Sequence, residues 1–85
     1  MRLAETTTKS STLLELSYHE FWIVRRRVAG NLNTPLKAFQ TLVHDPDYLV
    51  RLTLISNPNI DQESLRVLSK DTNFFVSQSA KRKLK

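Results

Sequence analysis

Arg25, Arg26 and Arg27 stand in a row, and guanidinium groups in number are the chemistry of phosphate or carboxylate recognition. On a helix, however, consecutive residues lie about 100° apart, so three of them fan across about 200° and cannot form one face. They are expected to separate. Arg25 recurs as Arg51, and each lies 20 residues before an aspartate, Asp45 and Asp71 respectively. A recurrent Arg to Asp pair between repeats is the expected role of this column. Arg26 and Arg27 have no such echo, because their columns continue as Leu52 and Thr53. They are therefore candidates for a partner surface, together with Lys81, Arg82, Lys83 and Lys85 at the end of the chain.

Trp22, Tyr48 and Phe74 share one column, an arrangement that could stack bases or methylated side chains. Core or half-buried packing between repeats is the expected reading, since such columns form shared core in repeat arrays. His19 and His44 are the only imidazoles, and nothing provides the third and fourth ligands of a metal site. His19 shares the helix-cap column of Asp45 and Asp71, and His44 falls with Tyr18 and Lys70 at the exposed end of a helix. No Gly-x-Ser-x-Gly turn surrounds any serine, and a single glycine cannot make a glycine-rich phosphate loop. Without cysteine there is no disulfide, thiolate metal site or cysteine-ligated cluster. The expectation is a protein without catalytic apparatus, cofactor or metal.

The residues that carry this chemistry sit on short helices marked by their punctuation. Residues 1–11 are polar and rich in Ser and Thr, and read as a flexible segment. Thr12 and Glu15 have capping-box spacing ahead of a first helix over about Leu13 to Tyr18. A second should run from about Glu20 to Ala29, with Gly30 as its stop. Thr34 as N-cap with Pro35 at the first helical position opens a third, carrying Leu36, Phe39, Leu42 and Val43. Asp45-Pro46 repeats the device for a fourth, which ends at Asn57-Pro58-Asn59. Asn59 or Asp61 caps the fifth, and the sixth follows Asp71 with Phe74, Phe75, Val76, Ala80 and Leu84.

These six helices are three pairs at a spacing of 26 residues, for Val50 to Asn59 repeats Val24 to Asn33 in its Val, Arg, Asn and Asn. Six columns stay apolar in all three pairs: those beginning at Leu13, Leu16, Trp22, Ile23, Val24 and Val28. One pair cannot bury its own apolar face, whereas stacked pairs share a core, and all six columns are expected to face inward.

The Val-Arg step, the Asn-Leu-Asn or Asn-Pro-Asn turn and the Leu-x-x-Leu helix ending in Asp resemble the leucine-rich repeat variant family, a relative in shape of HEAT and armadillo arrays. The resemblance covers roughly residues 19–71. It implies a short right-handed α-solenoid in which one helix of each pair is α and the other short, often 3₁₀. The 26-residue spacing is slightly longer than the family's usual unit, which would lengthen the short helix. The cysteine cluster of some members is missing, which removes any iron–sulfur role. The family is defined by architecture and supplies no catalytic residue.

At 85 residues the chain reads as one domain, 12–85, behind its N-terminal segment. The start lacks the apolar run of a signal peptide and no stretch approaches the ~18 apolar residues of a membrane span, so a cytoplasmic location is expected. Net charge is +5, but Lys81, Arg82, Lys83 and Lys85 supply four of those charges and leave +1 on the rest. A basic tail of this kind also protects the last repeat, whose bare end is where copies of the chain would associate. The expected function is non-enzymatic binding of another protein. The alternative is a nucleic-acid accessory that uses Arg26, Arg27 and the tail on phosphates, weakly and with a strong salt dependence.

Overall fold

Val24 and Val28 lie one helical turn apart, as do Val50 and Leu54, and this apolar pairing organises a chain whose described elements are all helices. The structure is a computed structural model and describes residues 9–85. The N-terminal segment expected to be flexible falls largely on residues 1–8, outside the described residues. Six α-helices follow: α1 Ser10–Leu16, α2 Trp22–Gly30, α3 Leu36–Leu42, α4 Tyr48–Ser56, α5 Gln62–Leu68 and α6 Phe74–Lys83. No strand occurs among the described residues. The shorter helices begin at residues 10, 36 and 62 and the longer ones at 22, 48 and 74, so both sets keep the 26-residue spacing.

The whole is compact, with a radius of gyration of 11.6 Å and extents of 30 × 22 × 16 Å. The most extensive helix contact joins α2 to α4, and α4 in turn packs on α6, which leaves α4 in the middle of the long helices. Between long and short helices lies one continuous core. Leu13, Phe39 and Leu65 are buried from the short helices, and Val24, Val50 and Val76 with Val28, Leu54 and Ala80 from the long ones. Leu42 and Leu68 are fully buried and Leu16 partly so. Each buried Leu or Val adds about 1.5–3 kcal/mol of transfer free energy.

Two of the six apolar columns do not face inward as expected. Trp22, Tyr48 and Phe74 are 40%, 43% and 68% exposed, and the column of Ile23 and Leu49 is half-buried but ends in an exposed Phe75. The cause is angular. Trp22 lies about 200° from Val24 and about 240° from Val28 around the helix, so a core that takes the two valines must leave the tryptophan outside.

The helix boundaries also move from those expected, for local reasons. α1 begins at Ser10, without the Thr12–Glu15 capping box, and its N-cap Lys9 makes no side-chain cap. Thr34 does not cap α3: its hydroxyl is buried and donates to the Val28 carbonyl at 2.6 Å, while Pro35 takes the N-cap position. Asp45 turns the chain through Asp47 N–H, and Asp47 is the residue that caps α4, by accepting from Leu49 N–H at 2.9 Å. Asn73 does the same for α6, accepting from Phe75 and Val76 N–H. Asp61 caps α5 through Ser64 N–H.

The short helices are α and not 3₁₀. Tight i to i−3 bonding recurs at all three exits, where His19, Asp45 and Asp71 N–H donate to Leu16, Leu42 and Leu68 carbonyls, and occurs at the entry of α3, where Ala38 N–H donates to the Pro35 carbonyl. Gly30 is the last residue of α2 but adopts no left-handed turn. A Cβ there would stand 3.4 Å from the Thr53 methyl of α4, an ordinary van der Waals contact, so space does not demand a glycine either.

Candidate binding surface

Among the candidate cations, the arginine column resolves first. Arg25 Nε meets the Asp45 carboxylate at 2.6 Å and Arg51 Nε meets Asp71 at 2.7 Å, with little of any of the four side chains exposed. Each guanidinium also donates backward to a carbonyl, Arg25 to His19 at 2.7 Å and Arg51 to Asp45 at 2.5 Å. These two arginines are structural clasps between successive units. His19 occupies the same register as the aspartates, and its Nδ1 accepts from Phe21 N–H at 3.1 Å as Asp45 and Asp71 accept from Asp47 and Asn73. His19 is thus a turn residue, and His44 is simply exposed.

The basic end of the chain is not a loose tail. α6 continues to Lys83, and the Lys83 ammonium donates to the carbonyls of Ile55 at 2.6 Å and Asn57 at 3.3 Å. Leu84 packs against the core and Lys85 N–H reaches Gln62 Oε1 at 3.1 Å. Lys81, Arg82, Lys83 and Lys85 are all exposed, but Lys83 has its ammonium held by the carbonyls of Ile55 and Asn57. Arg26 and Arg27, expected to part, line one groove of about 340 Å³ with Ile23, Gly30, Asn31 and Thr53. Arg26 is exposed and its Nε donates to Thr53 Oγ1 at 3.2 Å, and Arg27 is half-buried. Among the described residues no carboxylate lines the groove.

Seen along the three long helices, this groove is one end of a larger surface. Trp22, Tyr48 and Phe74 open it on α2, α4 and α6, one turn later come Arg26, Leu52 and Gln78, and one turn after that Gly30, Ser56 and Arg82. None of the three long helices contains an Asp or Glu. Every acidic side chain among the described residues belongs to a short helix or a connection. The outward face of α4 carries no charge, whereas α2 and α6 add cations on either side of it.

The aromatic row is what reading by columns missed, because a column that stays apolar in every repeat looks like core whichever way it points. The available signal was its angle from the valine columns. No group of three or more His, Asp or Glu side chains among the described residues could hold a metal ion, and no helix there is long and apolar enough to cross a membrane. Comparison with family models, with curated proteins and with solved structures finds no match to the chain.

Proposed function

We propose that this chain is a non-enzymatic binding module, a short right-handed α-solenoid of the leucine-rich repeat variant kind, and that it docks another protein on the outward face of α2, α4 and α6. The carrying observation is the row of Trp22, Tyr48 and Phe74, exposed at the same position of three neighbouring long helices. Large aromatic side chains left in water at a regular spacing are the usual anchors of protein interfaces, and they cost little conformational entropy when a partner covers them. The equal 26-residue starts of both helix sets and the repeated clasps support the solenoid reading.

Nucleic-acid binding is the less favoured alternative. A phosphate-tracking groove needs cations in successive units, yet Leu52 and Gln78 hold the register of Arg26. The test is site-specific photo-crosslinking in the native cell, with the crosslinking residue placed at Tyr48 or, as a control, at Arg66 on α5. Protein adducts specific to position 48 are the expected result. Adducts to nucleic acid at that position, or equal labelling at both, would remove the reading.

A further inference from the structure

The charge pattern of the long-helix face says more about its occupant than its aromatic row does. At one side stands Arg26, exposed at a groove with no carboxylate among the described residues, and at the other stand Lys81 and Arg82 on α6. Between them α4 presents Tyr48, Leu49, Leu52 and Ser56, an uncharged and largely apolar strip. Arg25, Arg51 and Lys83 do not contribute, since their cationic groups are engaged with Asp45, Asp71 and the carbonyls of Ile55 and Asn57.

We infer that this face takes an extended segment of a partner protein that is acidic at both ends and apolar in the middle, its carboxylates meeting Arg26 and Arg82 and its apolar side chains crossing α4 beside Tyr48 and Leu52. The inference rests on the protein-binding reading above and adds the chemistry of the partner. α4 separates α2 from α6, and neighbouring helix axes lie about 8–10 Å apart, so the two arginines are about 20 Å apart across the face. An extended strand at ~3.3 Å per residue covers that distance in about six residues. Arginine suits the two ends because its planar fork matches a carboxylate in two bonds. Polyanions such as single-stranded nucleic acid fit less well, since their charge is continuous and the strip over α4 has nothing to neutralise it.

The experiment is selection of binders from a random twelve-residue peptide library against the purified chain, repeated with Arg26→Glu and with Arg82→Glu. Circular dichroism and the thermal midpoint first establish that each variant is folded; both arginines are exposed, and neither belongs to the core. Enriched peptides should carry Asp or Glu on both flanks of an aliphatic or aromatic centre. Each reversal should weaken those peptides about tenfold and select Lys or Arg at one flank only, a different flank for each variant. Peptides enriched without acidic flanks would overturn this inference and leave the protein-binding reading standing. Failure to enrich any peptide would overturn it too. A twelve-nucleotide oligothymidylate that displaces the selected peptides at 150 mM salt would overturn both readings.

Discussion

The Lys83 ammonium does for the last unit what the Asn57 carboxamide does for the one before it. Asn57 Nδ2 donates to the carbonyls of Ala29 and Asn31, both at 2.9 Å, and Lys83 Nζ donates to those of Ile55 and Asn57, which lie 28 and 26 residues back in each case. The carbonyls leaving one long helix are thereby bound by the side chain that leaves the next. An amide serves where the position is buried, and a cation serves where the side chain is exposed along part of its length.

Replacing Asn57 by Ala should cost about 2–4 kcal/mol, because the Ala29 and Asn31 carbonyls lose a buried amide donor and Asn59 N–H loses its acceptor together. Lys83→Met keeps most of the aliphatic stem and should cost less, about 1 kcal/mol, since water can reach the released carbonyls. Chemical denaturation of the two variants measures both, and a Lys83→Met loss larger than that of Asn57→Ala would contradict the assignment.

The clasps differ from an ordinary surface ion pair, and a double-mutant cycle should show it. Arg25 with Asp45 and Arg51 with Asp71 are nearly covered, whereas Arg66 and Glu63 are 57% and 74% exposed. Coupling above ~1 kcal/mol is expected for either clasp and ~0.5 kcal/mol or less for the exposed pair. Equal coupling in all three would mean that burial adds nothing here.

Core and face should separate cleanly under truncation. Leu68→Ala removes a fully buried side chain and should cost about 2–4 kcal/mol. Tyr48→Ala removes a side chain at 43% exposure and should cost no more than about 1 kcal/mol while weakening any partner that docks on the long helices. A large loss of stability from Tyr48→Ala would return that column to the core.

Trp22 is the sole tryptophan of the chain and reports on the face directly. At 40% exposure its emission should be red-shifted and open to acrylamide quenching in the free protein. A peptide bound beside Arg26, which lies one turn along the same helix, should shift the emission to the blue and reduce quenching. Unchanged emission with a saturating peptide would place that peptide elsewhere.

How much of this was legible in the sequence depends on whether a feature is local or angular. The 26-residue spacing and the Arg25–Asp45 and Arg51–Asp71 pairs were readable because each needs only residue type and separation, and the cap of α5 was narrowed to Asn59 or Asp61, of which Asp61 serves. Trp22 was misplaced because column counting records that a position is apolar in every unit and says nothing about which side of the helix it occupies. Thr34 was misread for another reason. A threonine before a proline looks like a cap, but the Val28 carbonyl at the end of the preceding helix, which also accepts from Asn31 N–H, takes its hydroxyl as a second donor. Lys83 could not be recognised from type at all, since it continues the column of Asn31 and Asn57 with different chemistry.

The clasps carry a mechanical consequence. Arg25 grips Asp45 and Arg51 grips Asp71, so each holds together two points 20 residues apart in the chain. A pull applied at the two ends of the described segment would pass across each clasp and bypass the loop behind it, which contains α3 in one case and α5 in the other. The short helices are thus shielded from tension until a guanidinium lets go, and each release would then add about 70 Å of slack chain. Neutralising Asp45 alone would expose α3 to the load while leaving α5 sheltered behind Arg51 and Asp71.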